Sequence, residues 1–248
     1  MRLPAPKASD ERGVHEGRPY ELWLPEDPGA PGSAAPGPPW PGMVILHGAG
    51  SRKENHADFA RACTARGWAA LTYDQRGHGD SEDEMSPAAV GDVGRMARLL
   101  AGSEGVDGAR ICARGSSMGG FMAIHAAAVS DSIAGVIAIC PAGEQHLREG
   151  LRRERLEMRV DRDAFEPWLG EHDLREAVEL IGSKPLLILH ARGDEQIPYS
   201  WTEELATRAP QPSEAIVVPG GHHRSLQHDG ELHEVALRWM EKALESEA

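Results

Sequence analysis

The chain has 248 residues, 40% of them apolar and 26% charged, which is the composition of a globular protein long enough for one large α/β domain with a well-buried core. Its formal net charge of −13 argues against nucleic acid or an anionic membrane surface as partner, because either demands a basic patch. The three cysteines, Cys63, Cys112 and Cys140, are far apart with no C-x-x-C pair, so neither a disulfide framework nor a zinc site is indicated and buried thiols are expected.

Residues 1–10 carry two early prolines and no apolar core of the kind a secretory signal needs, and no later stretch is long enough to span a bilayer; a cytoplasmic protein is expected. An early strand is predicted near residues 20–24. Residues 25–41, dense in proline, glycine and alanine, predict an exposed connection that does not divide domains. Beyond it, short apolar runs at residues 43–46, 69–73, 110–113, 135–139, 185–189 and 214–218 alternate with helical segments. Near-continuous apolar strands imply a mostly parallel sheet covered on both faces, and the alternation implies a doubly wound α/β fold. Ser86 before Pro87 predicts a capped helix start, Ser200 with Glu203 predicts a capping box, and Leu232, Val235, Ala236, Trp239, Met240 and Ala243 predict a final helix laid on the sheet. The alternation lapses at residues 141–183, where charged residues dominate 144–162 and only Leu147, Leu151 and Met158 offer an apolar face. A small helical cap inserted within a single domain spanning 1–248 is the expectation.

The run Gly115-Ser116-Ser117-Met118-Gly119-Gly120 lies between an apolar strand and a helix-like stretch. A serine lifted out at such a turn is held in a strained backbone conformation, and only small residues two positions to either side let chain and substrate approach. In parallel sheets, sites form at the carboxyl ends of strands. Residues there are His47-Gly48-Ala49-Gly50, the 74–81 run from Asp74 to Ser81, Ser117, then Gly193-Asp194-Glu195-Gln196-Ile197-Pro198, and finally Gly220-Gly221-His222-His223.

At these residues the chain resembles the α/β-hydrolase family, in the order serine, acid, histidine, over nearly all of residues 20–244. The resemblance implies Ser117 as nucleophile, Asp194 as the acid of a G-D-x-x-[IV]-P pattern, and the backbone N–H groups of Ala49 and Met118 as the oxyanion donors. The G-x-x-H spacing from Gly220 selects His223 as the base, with His222, next to Gly221, as the alternative. His47 is expected to shape the oxyanion loop and the 74–81 run to be structural.

Each of these residues also has a plainer reading. Ser117 could merely cap a helix, Asp194 could be a turn former with Glu195 as the carboxylate, and the arginines of 144–162 could be a solvated face. His222, His223, His228 and His233 lack the spacing and acidic support of a zinc site, so no metal or organic cofactor is expected. The leading expectation is a serine hydrolase of small-molecule carboxylic esters acting through an acyl-enzyme, with no nucleic-acid partner; the sequence does not set an oligomeric state. A thioesterase or small serine peptidase shares the same intermediate, and a non-catalytic binding protein on the same scaffold is the rival from another class.

Overall fold

The computed structural model describes residues 7–26 and 37–245. Eight strands, β1 (Glu11–His15), β2 (Arg18–Trp23), β3 (Trp40–Leu46), β4 (Ala69–Tyr73), β5 (Val106–Ser116), β6 (Gly135–Ile139), β7 (Leu186–Ala191) and β8 (Ser213–Val218), form one sheet in the order β1-β2-β4-β3-β5-β6-β7-β8. From β4 to β8 every neighbouring pair is parallel, whereas β1 and β2 join antiparallel at one edge. The helices are α1 (Ala57–Ala65), α2 (Ala88–Ala101), α3 (Met118–Val129), α4 (Glu144–Arg152), α5 (Arg162–Glu171), α6 (Leu174–Leu180), α7 (Tyr199–Arg208) and α8 (Gly230–Glu245).

Strand side chains point alternately to opposite faces, so an all-apolar strand feeds two cores. In β3, Val44 and Leu46 join a cluster with Val93 and Met96 of α2 and Phe121, Met122 and Ile124 of α3. Met43 and Ile45 face the other way, toward Phe59 and Cys63 of α1 and Leu237 and Met240 of α8. Each fully buried aliphatic or aromatic side chain contributes about 1.5–3 kcal/mol through removal from water. Helix α3 is buried from Met118 to Ala127 because sheet, α2 and α6 surround it, which explains why it has no polar face.

The apolar runs at 69–73 and 135–139 coincide with β4 and β6, and the remaining predicted strands shift by a few residues at their ends. Strand β1 has no apolar signal, because as an edge strand it is mostly exposed; its hairpin to β2 turns through Glu16 and Gly17, both at positive φ. The predicted connection at 25–41 overlaps β3 at its end, and its middle, residues 27–36, lies outside the described residues, as do 1–6 of the amino-terminal segment.

Two predicted caps are corrected. Pro87, not Ser86, stands at the N-cap of α2, with no side-chain cap bond. Helix α7 already starts at Tyr199, its N-cap Pro198 being extended at φ −65° and ψ 137°, so Ser200 lies inside the helix and forms no capping box. The fixed ring of Pro198 sets that entry two residues too early for Ser200. The final helix buries His233, Ala236, Leu237, Met240 and Ala243, with Leu232 and Trp239 at the flanks, so its buried stripe is rotated slightly from the predicted one.

Between β6 and β7 the chain forms α4, α5 and α6. Their apolar content is larger than the thin face read from the sequence: besides Leu147 and Leu151, Phe165, Leu169, Leu174 and Val178 are buried. The loop after α4 is tied to the loop after β4 by backbone hydrogen bonds, Met85 N to Arg159 O (2.9 Å), Asp161 N to Met85 O (3.0 Å) and Arg159 N to Gly77 O (3.0 Å). That tie brings residues 155–161 alongside the carboxyl ends of β3, β4 and β5. No helix among the described residues is long and apolar enough to cross a membrane.

Candidate active site

Strand β5 runs into Ser117, whose φ of 52° and ψ of −117° put it in a region that non-glycine residues rarely occupy. Surrounding bonds fix it there: Ser117 N donates to Ile139 O (2.9 Å), and its carbonyl accepts from Phe121 N (3.1 Å) and Ala142 N (3.2 Å). The turn is possible only with glycine at its shoulders. A Cβ on Gly115 would fall 2.1 Å from Gly119 O, and one on Gly119 would fall 2.6 Å from His47 O.

The His223 ring reaches this serine. Its Nε2 lies 2.9 Å from Ser117 Oγ, and its Nδ1 lies 2.7 Å from Asp194 Oδ2. A carboxylate only accepts, so Nδ1 carries the proton and Nε2 is left to accept from the serine hydroxyl. The Asp194 side chain is fully buried and that of His223 is 6% exposed. Asp194 Oδ1 accepts from the backbone N–H groups of Gln196 (2.8 Å) and Ile197 (2.9 Å). Burial alone would raise the Asp194 pKa, but bonds from His190, His223 and Ile197 outweigh it and hold the carboxyl well below the usual range.

The other predicted residues fall around this group in different ways. His222 is exposed and turned aside, its Nδ1 accepting from Arg224 N (3.3 Å). Glu195 accepts from His223 N (3.2 Å) and does not reach the ring. His47, buried and pushed down to about 4 by burial and by neighbouring His78, is neutral; its Nε2 accepts from Gln75 N (3.1 Å), so its Nδ1 donates to Gly48 O (2.8 Å). The ring thus braces the loop that carries Ala49 beside Ser117. Met118 opens α3, so its N–H has no partner within the helix. Asp74 is fully buried and accepts from Lys53 N and Nζ (2.9 and 2.8 Å) and from Asp80 N (2.9 Å), which knits the loop after β4 together.

Three further residues carry the arrangement without a motif to flag them. His190 of β7, fully buried, places Nε2 3.0 Å from Ile197 O and 3.4 Å from Asp194 Oδ2, with Nδ1 2.7 Å from Thr202 Oγ1. Arg114 of β5, also fully buried, donates to Gln227 O (2.8 Å) and to His56 Nδ1 (3.0 Å), while Ser116 Oγ donates to Gln227 Oε1 (2.9 Å). Gln227 follows the His223 loop, so these bonds clamp that loop to the strand that ends in Ser117. A sequence clue existed in the charged Arg114 inside an apolar strand.

All three cysteines are buried and free. Among the described residues one histidine, cysteine and carboxylate group is close enough to share an ion, Cys140, His190 and Asp194, with ligand atoms within 4.8 Å of one another. A metal there would compete for the oxygen that Asp194 presents to His223. The histidines His222, His223, His228 and His233 form no such group: His228 faces Asp58 (2.8 Å) and His233 faces Gln227 O (2.9 Å).

Beside Ser117 opens a cavity of about 490 Å³. Its lining comes from the loop after β3 (Gly48 to Ser51), the stretch after α4 (Arg155, Leu156), Gln196, and the His222 to His228 loop. Ala49 and Leu156 are its apolar side chains, Arg155 and Arg224 line it, and the Glu157 carboxylate lies against Gly50 at its wall.

A family model described as serine aminopeptidase, S33, matches residues 38–169, and a second, described as TAP-like protein, matches 167–235. The chain belongs to the α/β-hydrolase family. A protein of Mycobacterium tuberculosis (strain ATCC 25618 / H37Rv), itself uncharacterized, is 26% identical over 211 residues, covering 80% of this chain and 68% of that one. A Bacillus subtilis (strain 168) protein provisionally named an esterase, YitV, is 22% identical over 184 residues, covering 66% of this chain and 72% of its own length. Among solved structures, this α/β-hydrolase chain is similar in fold to Est1E from Butyrivibrio proteoclasticus, with a TM-score of 0.70 at 20% identity, covering 96% of this chain and 98% of that one.

Proposed function

We propose that this α/β-hydrolase is a serine hydrolase that cleaves carboxylic esters of small or medium substrates. The observation that carries the reading is the His223 ring bridging Ser117 Oγ and the buried Asp194 carboxylate at 2.9 and 2.7 Å. A serine hydroxyl is a poor nucleophile near neutral pH and needs such a base. Ser117 Oγ attacks the ester carbonyl as His223 Nε2 takes its proton, and Asp194 favours the imidazolium that forms. The backbone N–H groups of Ala49 and Met118 stabilise the tetrahedral oxyanion, a contribution of about 10²–10³ in turnover per donor in related chemistry. His223 returns the proton to the departing alcohol, and a water activated by the same ring releases the acid from Ser117.

The segment 141–183 acts as a cap in this reading, limiting substrate size through Arg155 and Leu156 at the cavity wall. The YitV relative's name favours esters. The family description favours a second reading, an aminopeptidase. An aminopeptidase has to hold the substrate's ammonium group, and the cavity sets two arginines, Arg155 and Arg224, against one carboxylate at its wall, Glu157 beside Gly50. The amine that departs from an amide is also a poorer leaving group than an alcohol and needs more closely positioned protonation. The test is turnover of an activated ester by wild-type and Ser117→Ala protein, with folding checked by circular dichroism. Loss of turnover by about 10⁴-fold or more is expected; substantial activity in the folded variant removes Ser117 from the mechanism.

A further inference from the structure

The cavity beside Ser117 takes two arginines into its lining in a chain whose formal net charge is −13. Its two guanidinium groups come from separate segments, Arg155 from the stretch after α4 and Arg224 from the residue that follows His223. Both residues are exposed, and among the described residues neither side chain has an ion-pair or hydrogen-bond partner. Nearby arginines do find partners: Arg152 pairs with Glu166 (3.3 Å), Arg153 with Glu149 (2.5 Å) and Arg175 with Asp173 (2.7 Å). Of the carboxylates close by, Asp58 bonds His228, Glu195 accepts from the backbone N–H of His223, and Glu157 lies against Gly50 of the cavity wall, yet none forms an ion pair with Arg155 or Arg224 among the described residues. Two arginines without an ion-pair partner, set in the wall of the cavity beside Ser117 in a chain where acid is in excess, are an arrangement for an anion.

We propose that the substrate is a small ester bearing a carboxylate remote from the scissile bond, which Arg155 and Arg224 hold in the cavity. The proposal rests on the hydrolase reading above and narrows its substrate class. The lining fits it, since Ala49 and Leu156 are its apolar side chains and offer little for a long acyl chain to cover. The two cations also offset the field of the acidic surface, which otherwise repels an anionic substrate on approach.

The experiment compares kcat/KM for the p-nitrophenyl monoester of adipic acid with that for p-nitrophenyl hexanoate, a neutral ester of the same chain length. The comparison is made in wild-type protein, in Arg155→Gln/Arg224→Gln, in Arg155→Lys/Arg224→Lys, and in Arg238→Gln as an exposed charge control outside the cavity. Expressing the result as a ratio cancels the intrinsic reactivity of each ester. The ratio of anionic to neutral ester is expected to fall about tenfold in the glutamine variant, the size set by two exposed charges acting on one anion through water. Lysine should keep most of the ratio and Arg238→Gln all of it. In wild-type protein, raising salt from about 0.02 to about 0.5 M should lower the ratio by a comparable factor. An identical ratio in wild-type and glutamine variant, with no salt dependence, overturns the anion site while Ser117-dependent hydrolysis continues. If neither ester is cleaved, or cleavage survives Ser117→Ala, the hydrolase reading fails and the proposal falls with it.

Discussion

His190 Nε2 lies 3.4 Å from Asp194 Oδ2, the same carboxylate oxygen that His223 Nδ1 approaches to 2.7 Å. Two imidazoles therefore converge on one buried acid, but only one of them faces solvent-accessible chemistry. The inner ring is anchored by Thr202 at 2.7 Å and by Ile197 O at 3.0 Å, so it fixes the loop on which Asp194 sits.

His190→Ala should therefore lower kcat about tenfold with KM little changed, since it loosens the acid and leaves Thr202 Oγ1 and Ile197 O without their partner. Steady-state kinetics well below the melting temperature check this. A variant with reduced melting temperature but wild-type kcat would reduce His190 to a packing residue.

The base is expected to be His223, so His223→Ala should lose about 10³-fold or more in turnover while His222→Ala loses less than about tenfold. The distances motivate the contrast: His223 spans Ser117 and Asp194, whereas His222 bonds only within its own loop. Parallel kinetics on the two variants decide it, and the reverse ranking would place the catalytic register one residue earlier.

Much of this was legible in the sequence because strand ends carry the chemistry. Continuous apolar runs located β3 to β8, and the residues directly after them included Ser117, Asp194 and both candidate histidines. Periodicity could not reveal β1, whose exposed face needs no apolar pattern, nor the start of α7, where the ring of Pro198 overrode the Ser200 signal. The charge of Arg114 stood out in an apolar strand, but what His190, Arg114 and Gln227 do was illegible for a different reason. Their roles depend on which strands lie side by side, and the β5 to Gln227 bonds link residues about a hundred positions apart.

Acid should destabilise the fold through buried neutral histidines. His125 is pushed down to about 4 by burial and by neighbouring His172, and His47 to about 4 by burial and His78. The unfolded chain binds a proton on each below about 6.5, while the folded chain does not until about 4. Their stabilising contribution is therefore complete above pH 6.5 and declines as pH falls toward 4, by about 1.4 kcal/mol per pH unit for each ring. His125 sits against Phe121 and Trp168, and its buried Nε2 lacks a partner. His125→Leu should be as stable as wild type at pH 7 and lose stability less steeply between pH 6.5 and 5. Urea melts at these pH values check it, and an unchanged slope would contradict the neutral buried ring.

Matched aminoacyl ester and aminoacyl amide substrates should separate the two hydrolase readings, with kcat/KM favouring the ester by about 10²-fold or more on leaving-group chemistry. Amide turnover equal to that of the ester, together with cleavage of free dipeptides, would replace the esterase reading with the aminopeptidase one.

Ser117 is proposed as a nucleophile activated by His223 and Asp194. Incubation with a fluorophosphonate probe followed by peptide mapping tests it directly. A single phosphonyl adduct on Ser117 is expected, with the labelling rate reduced about 10³-fold or more in His223→Ala and also reduced in Asp194→Asn. An unlabelled Ser117 in folded, ester-hydrolysing protein, or labelling that proceeds equally fast without His223, would contradict it.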